Sequence, residues 1–408
     1  SFLVLALSLT HFGMARSRAG EPIALLLFSI SGLLAATASR SLLVTPLCLE
    51  LAWLPSIALV ASDPRRLSSS ESSLKLLFAH ALASLAFAQG VAFLFFATGS
   101  FELAALAEPA GSRPLFFEIG AALVVVGLVA RCGLAPFHPW VPDLHEGAPA
   151  FVTAHMATAA QTACFLVLLR VLTALLPADP TLASDVARRL PEWLGFLACL
   201  TLVWGHAMAL VQVGLRRLVG WLAVGQAGFL ALALVDARAE GALALVGALG
   251  GSSIALVGVL TTLSSFSHHE RACEHVGDLA GMAGESPARA TLLALFLLSL
   301  AGFPGAIGFV ARRDVLTAVE HAGHRGFLLV GVVATVLALT AVGRPLVALL
   351  RPAEGRRAAS AALTNEQVVL ALCGAVVLFL GTAPLFGERA ISGWLEAWIA
   401  AGVASLRG

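Results

Sequence analysis

The sequence predicts an all-α protein, a bundle of helices that crosses a membrane many times. Of its 408 residues, 59% are hydrophobic and only 12% are charged, whereas soluble domains carry about 25% charged residues. The mean hydropathy is +0.92, and apolar runs long enough to cross a bilayer as helices follow one another with short polar connectors. The formal net charge of +1 offers no basic excess to a polyanion, so we expect no nucleic-acid partner.

Hydropathy along the chain divides it into twelve apolar segments. They cover residues 1–13, 22–38, 41–61, 72–98, 115–136, 148–177, 191–212, 214–235, 240–264, 287–311, 324–350 and 364–385. The first run begins at once, without the basic start of a signal peptide. We therefore expect further membrane segments before it in the complete protein.

Basic residues are distributed unevenly between the two sides that alternate connectors define. The richer side holds Arg16, Arg18, Arg65, Arg66, Arg216, Arg217, Arg351, Arg356 and Arg357. The poorer side holds Arg40, Arg113, Arg188, Arg189 and Arg238. Because cytoplasmic loops carry the excess of Lys and Arg, we expect the richer side to face the cytoplasm.

Three ionisable side chains, Glu50, Arg131 and Arg312, lie inside or just beyond apolar segments. A charge there costs about 2.5 to 3.5 kcal/mol on insertion scales, so each belongs either to a buried ion pair, to the membrane interface or to an ion path. Arg131 lies five residues before Pro136, and Arg312 lies eight residues after Pro304. One proline-interrupted segment in each half of the chain is typical of transporters and favours a polar path over two harmless kinks.

The sequence offers no site for a cofactor. Its six cysteines are scattered through the chain, mostly in apolar runs, and we interpret them as packing residues. There is no GxGxxG after a strand, no P-loop, no HExxH and no cysteine set for an iron-sulfur cluster. We expect no cofactor or metal in this chain, and no catalytic site of its own.

Residues 133–172 carry a family resemblance. They read GLAPFHPWVPDLHEGAPAFVTAHMATAAQTACFLVLLRVL and resemble the signature of the antiporter-like proton-channel subunits of respiratory complex I, members of the NADH:quinone oxidoreductase/Mrp antiporter transmembrane family. The HEGAP form resembles the N subunit most. Further blocks follow in the family's order, among them SLKLLFAHALASLAFAQG and LLALFLLSLAGFPGAIGFVARRD, so the resemblance spans roughly residues 22–350.

The resemblance implies a bundle of fourteen helices with two inverted five-helix repeats, each containing one broken helix. This chain would lack the first two helices and part of the third. We assign a partial membrane helix and loop to 1–21, the repeats to about 22–177 and 191–350, and a C-terminal membrane helix with a short tail to 351–408. The implied setting is a bacterial inner membrane, with lipids, protons and other membrane-arm subunits of a complex I-like assembly as partners.

The resemblance also implies a proton path along the middle of the membrane. Glu50 matches the family's mid-membrane glutamate, Lys75 matches a lysine that commonly starts the following helix, and His138 and Glu146 match parts of the signature. At the remaining positions the chain departs from the family: Arg131, Gln161 and Arg312 stand where lysines are typical, and Gln226 stands where a histidine is often found. His80, His155 and His206 are further titratable candidates, although a lone buried histidine is more often structural.

The departures change what the path can do. A buried lysine can lose its proton, whereas arginine stays protonated and glutamine does not titrate. We therefore expect Arg131 to pair with Glu50, hold it ionised and act as a lock rather than a relay.

These observations predict a membrane-arm subunit of a proton-translocating NADH:quinone oxidoreductase with weakened conduction. The alternatives are a subunit of a multisubunit cation/proton antiporter or of a membrane-bound hydrogenase, a non-conducting scaffold subunit and, more distantly, an unrelated solute carrier.

Overall fold

The computed structural model confirms an all-helical membrane bundle in the part of the chain that it describes, which comprises residues 3–8, 20–62, 67–107, 113–176, 185–236, 239–266, 273–352 and 364–382. The helices are α1 (Gly20–Ala38), α2 (Val44–Val60), α3 (Leu67–Thr98), α4 (Pro114–Arg131), α5 (Trp140–Gly147), α6 (Ala150–Leu175), α7 (Asp185–Val211), α8 (Leu215–Leu232), α9 (Ala239–Phe266), α10 (Pro287–Ala301), α11 (Ile307–His321), α12 (Arg325–Leu350) and α13 (Thr364–Thr382). Over these ranges, nine helices are long and apolar enough to cross a membrane. Of the first predicted segment only 3–8 is described, as helix, and the tail predicted after the last helix lies outside the described residues.

Both predicted breaks are present. Helix α4 ends at Arg131 and α5 continues after a loop, while α10 ends at Ala301 and α11 continues after a shorter loop. A glycine with positive φ follows each helix end closely, Gly133 at 73° and Gly302 at 81°. Glycine adopts this left-handed conformation without the steric cost that a Cβ would impose, so it ends the helix and turns the chain.

The predicted ends of the two broken segments were wrong. Hydropathy extended them to residues 136 and 311 and treated what followed as connectors. The structure instead ends the first helical stretch at Arg131, starts the short helix α5 at Trp140, and continues α11 to His321. Helices α5 and α11 carry several charged side chains, and a hydropathy profile does not distinguish such short polar helices from loops.

The same contacts recur in the two halves at a nearly constant offset. The connector after α1 pairs with the connector after α3 through a bridge between Ser41 and Glu102, and the connector after α7 pairs with the connector after α9 through Gly214 and His275. Each partner is displaced by 173 residues. A side-chain contact recurs as well. In the first half, Nη1 of Arg170 in α6 donates to the Ser39 carbonyl at 2.8 Å. Its counterpart in α12 donates from Nη1 of Arg344 to the carbonyl of Gln212 at 2.9 Å.

The recurring contacts lie at opposite ends of the bundle. Lys75, near the start of α3, contacts Asp143, which also contacts Arg217 at the start of α8. The other end of α3 leads to the bridge at Glu102, so the two bridges lie at different ends. Each half contains five helical segments if the two parts of a broken helix count as one, and the inverted relation of the two repeats stays a prediction.

The core of the bundle surrounds α8. Residues 218–235 of the span Leu215–Val235 are all buried, whereas only 28% of the apolar 18-residue stretch of α1, of α3 and of α12 is buried. The exposed positions of those outer helices are largely apolar, for example Phe78 and Leu82 on α3. Such a surface suits lipid or other membrane helices, and it encloses the polar side chains of the site described next.

Candidate proton-path site

An ion pair joins α2, α3 and α4 at the first break. Nη2 of Arg131, the last residue of α4, lies 2.6 Å from Oε1 of Glu50 on α2 and 2.6 Å from the hydroxyl oxygen of Ser84 on α3. The Ser84 hydroxyl donates to the same carboxylate oxygen or to the carbonyl of His80. The three side chains thus form one hydrogen-bonded cluster, and the predicted partners Glu50 and Arg131 are in direct contact.

Arg131 depends on this cluster for its charge balance. Its side chain is 0% exposed, and among the described residues its Nε and Nη1 atoms have no hydrogen-bond partner. A buried guanidinium without a counter-charge is costly, and charge-assisted hydrogen bonds to a carboxylate are the strongest available compensation. Glu50 therefore stabilises the end of α4 at the point where the helix breaks.

The carboxylate of Glu50 remains partly open. Its side chain is 33% exposed, and it borders the exposed residues Leu47, Leu51 and Leu54 on the outer face of α2. A carboxylate in the middle of a membrane helix is not tolerated against lipid tails without water or a polar partner. The open side of the ion pair therefore requires a contact from outside the described residues.

Two further predicted residues line the first break. Nε2 of Gln161 on α6 lies 3.4 Å from the carbonyl of Cys132, the residue after Arg131. His138, in the loop between α4 and α5, has its ring 5.5 Å from that of Trp221, and its Nδ1 atom has no partner among the described residues. Gln161 therefore brings a polar amide next to the ion pair, although the amide does not titrate near neutral pH.

Arg312 is buried in the second half without a carboxylate among its hydrogen-bond partners in the described residues. Its Nη1 donates to the Thr335 hydroxyl at 3.2 Å, and its Nη2 donates to the Leu300 carbonyl at 2.6 Å and to Oε1 of Gln226 at 3.4 Å. The guanidinium carbon also lies 4.2 Å from the centre of the Phe229 ring. Neutral oxygens and an aromatic face thus hold this charge, which remains uncompensated within the cluster.

Lys75 and Glu146 belong to a different group of charges, at the ends of α3, α5 and α8. Lys75 pairs with Glu71 at 2.6 Å and Asp143 at 2.9 Å, and Arg217 pairs with Asp143 at 3.4 Å and Glu146 at 2.9 Å. Lys75 and Arg217 are 47% and 42% exposed, so these ion pairs contribute little stability individually. They connect the short helix α5 to its neighbours.

The structure thus separates the predicted path residues into three places. Glu50, Arg131 and Gln161 meet at the first break, and Gln226 meets Arg312 beside the second. Lys75 lies nine residues before the serine that contacts the ion pair, about 13 Å along α3.

Sequence reasoning missed the hydroxyl groups that complete these clusters, Ser84 in the first half and Thr335 in the second. Serine and threonine are common in apolar helices, where they usually bond to their own backbone. The only signal in the first case was the spacing of His80 and Ser84, which places two polar residues on one face of α3.

Among the described residues, no group of three or more His, Cys, Asp or Glu side chains is arranged to hold a metal ion. The six cysteines form no disulfide there. The absence of a cofactor in this chain stays a prediction.

Comparison with known families settles what this fold is. The family described as NADH:quinone oxidoreductase/Mrp antiporter, TM, matches residues 39–338. The chain belongs to this family. The match covers both breaks and every predicted path residue from Glu50 to Arg312.

Individual relatives narrow the comparison. NADH-quinone oxidoreductase subunit N of Syntrophotalea carbinolica is 33% identical over 381 residues, which cover 93% of this chain and 80% of the relative. Subunit N of Deinococcus radiodurans is 34% identical over 393 residues, with 93% of this chain and 77% of the relative covered. These relatives confirm the predicted resemblance to the N subunit.

Solved structures share the fold. A chain of respiratory complex I from Thermus thermophilus with bound aureothin matches with a TM-score of 0.77 and 28% identity, covering 94% of this chain and 82% of that one. A chain of the Mrp complex from a Dietzia species has a TM-score of 0.82 at 19% identity, covering 99% and 83%. Since that identity is low, the second likeness shows the fold alone.

The site geometry predicts that Glu50 and Arg131 depend on each other. Glu50→Gln leaves Arg131 buried and unpaired, and we expect a loss of unfolding free energy towards the lower end of roughly 3–5 kcal/mol, because Glu50 is one third exposed. The double variant Glu50→Gln/Arg131→Gln is expected to recover part of the loss. Thermal unfolding in detergent measures both, with Glu71→Gln as a control in an exposed ion pair. A double variant no more stable than Glu50→Gln alone would show that the two side chains are not coupled.

Proposed function

We propose that this chain is the N-type membrane-arm subunit of a proton-translocating NADH:quinone oxidoreductase in a bacterial inner membrane. The observation that carries the proposal is the likeness to subunit N over 93% of the chain at 33% identity. In this role the chain contributes ion movement, and the redox chemistry takes place on other subunits. The break with its buried ion pair supplies the polar group at membrane depth that such a role needs.

The open side of Glu50 supports a partner within the membrane. The carboxylate is 33% exposed beside an apolar stripe, and a neighbouring helix with a hydrogen-bond donor or enclosed water would satisfy it. A neighbouring subunit of the membrane arm provides both, and lipid covers the remaining outer faces. The likeness at 28% identity to a chain of respiratory complex I from Thermus thermophilus supports the same proposal.

Proton conduction through this subunit is proposed to be weakened. Arg131 and Arg312 stay protonated in a protein interior, and Gln161 and Gln226 have no proton to exchange near neutral pH. Of the three predicted residues that meet at the first break, Glu50, Arg131 and Gln161, Glu50 is the one that can change its charge readily, and it is paired with Arg131. The arrangement stabilises a fixed charge rather than a moving one.

The alternative proposals have the same fold but place the chain in a different multisubunit complex. They are a subunit of a multisubunit cation/proton antiporter and a subunit of a membrane-bound hydrogenase. A chain of the Mrp complex and a chain of an archaeal membrane-bound sulfane sulfur reductase, the latter at 22% identity and a TM-score of 0.80, share the fold. Both likenesses fall below the identity at which function follows. A non-conducting scaffold is favoured by Arg131 and Arg312, whereas the retained Glu50 and both breaks favour a subunit that still responds to charge.

Partner capture tests the assignment. The full-length protein is purified by an affinity tag in mild detergent, and bound subunits are identified by mass spectrometry. We expect flavin-binding and iron-sulfur subunits of an NADH:quinone oxidoreductase together with other membrane-arm subunits. Recovery of small antiporter subunits alone would contradict the assignment and support cation exchange, and recovery of no partner would overturn it.

Restoring lysines tests the weakened path. We expect Arg131→Lys/Gln161→Lys to raise proton flux several-fold in vesicles under an imposed pH gradient, because lysine can release its proton where arginine cannot. Arg170→Lys is the matched control, since Arg170 is also buried but bonds backbone carbonyls at the end of α1. Unchanged flux in the double variant, or an equal rise in the control, would show that Arg131 does not limit conduction.

A further inference from the structure

A second polar cluster lies in the first repeat, apart from the ion pair. His155, in the first turns of α6, is 0% exposed. Its Nε2 atom lies 2.7 Å from the hydroxyl of Ser29 on α1, and that hydroxyl lies 2.9 Å from the hydroxyl of Ser56 on α2. Ser56 in turn donates to the carbonyl of Ala52 at 2.9 Å. Three helices therefore contribute to one continuous hydrogen-bonded chain in an otherwise apolar interior.

The hydrogen-bond donors and acceptors of His155, Ser29 and Ser56 determine where a proton can be added. When Ser56 donates to Ala52, the Ser29 hydroxyl must donate to Ser56, and the Nε2–H of His155 must donate to Ser29. The neutral ring then carries its proton on Nε2 and a free lone pair on Nδ1. Nδ1 is buried and has no hydrogen-bond partner among the described residues, which is unusual for a buried polar atom and calls for an explanation.

The chain also has a second, reversed arrangement. In it, a ring with its proton on Nδ1 accepts from Ser29 at Nε2, and Ser29 accepts from Ser56, whose hydroxyl then no longer donates to Ala52. In the first arrangement, a proton added at Nδ1 gives the imidazolium, which keeps its donation from Nε2 to Ser29.

We propose that His155, Ser29 and Ser56 form a buried proton-binding site in the first repeat, separate from the ion pair. The use of this site in proton movement rests on the proposed function, whereas proton binding itself does not. The site lies six residues before Gln161 on the same helix, so α6 retains a titratable side chain although its amide at 161 has none.

The local helix geometry sets the two residues apart. Met156–Ala160 forms a π-helical turn directly between them. Such a turn inserts an extra residue into the helix and shifts the direction of the side chains that follow, and π turns are frequent at functional sites. His155 accordingly contacts Ser29 on α1, while Gln161 contacts the break after α4.

No described charged side chain competes for the ring. The titratable groups on the helices packed against the start of α6 are occupied elsewhere or lie at helix ends. Glu50 pairs with Arg131, while Arg217 pairs with both Asp143 and Glu146. Glu240 contacts His321, and His145 bonds to the Val141 carbonyl. Cys48 is on α2, and Glu21 is in the exposed first turn of α1. Among the described residues, the polar surroundings of the His155 ring are therefore the hydroxyl groups of Ser29 and Ser56.

Solid-state nuclear magnetic resonance of the full-length protein in bilayers tests the proposal. Ring nitrogens of ¹⁵N-labelled histidine distinguish the neutral tautomers from the imidazolium, and the His155 signals are those lost in His155→Gln. We expect these signals to change from neutral to imidazolium as the pH falls from about 9 to about 3, the range that a buried ring without a counter-charge requires. Ser29→Ala should shift the midpoint, and Ser29→Thr, which keeps the hydroxyl, should restore it.

The control is His145→Gln, which makes the same change at another buried histidine, whose hydrogen bond among the described residues is to the Val141 carbonyl of its own helix at 3.0 Å. It should leave the His155 signals unchanged. Signals that stay neutral over the whole range would overturn the proposal and make His155 a packing residue, and so would a midpoint that Ser29→Ala does not move. Neither outcome depends on which partners the protein binds, so failure here is distinguishable from failure of the proposed function.

Discussion

The ion pair between Glu50 and Arg131 is the interaction on which the site depends. It joins α2, α3 and α4 at the point where α4 breaks. It also places an arginine side chain with 0% exposure next to a glutamate side chain that is 33% exposed. Burial makes the arginine dependent on its partner, and the partial exposure of the carboxylate makes the pair depend on whatever covers it. The partly exposed carboxylate of Glu50 thus leads us to expect a neighbouring subunit at this face of the bundle.

The two halves share a framework and differ in how they hold charge. Contacts between connectors and between arginines and helix ends recur with offsets near 173 residues, yet the first break has an ion pair and the second has an arginine held by neutral oxygens and a ring. The framework is therefore repeated while its polar contents have diverged. In both halves, a buried arginine occupies the place beside the break.

The sequence was sufficient to predict the membrane bundle, the two breaks and the contact between Glu50 and Arg131. Long apolar runs and charges close to interrupted segments predict the bundle and the breaks, whereas the contact between Glu50 and Arg131 was expected from the family resemblance. The sequence was insufficient where a short polar helix resembles a loop, as in α5, and where hydroxyl groups complete a cluster, as with Ser84 and Ser29. A serine in an apolar helix has the same local sequence signal whether it bonds to its own backbone or to a partner distant in the chain, and only packing decides between them.

Infrared spectroscopy of Glu50 in the full-length protein tests the central claim most directly. A protonated carboxyl group has a C=O stretching band that an ionised carboxylate lacks. If Glu50 carried a proton, its band would be present in the protein and lost in Glu50→Gln. The fixed ion pair predicts that the spectra of the protein and of Glu50→Gln show no difference in this band near neutral pH. A band that is present in the protein and absent from the variant would contradict the account, because it would show that Glu50 carries a proton and that Arg131 does not hold it ionised.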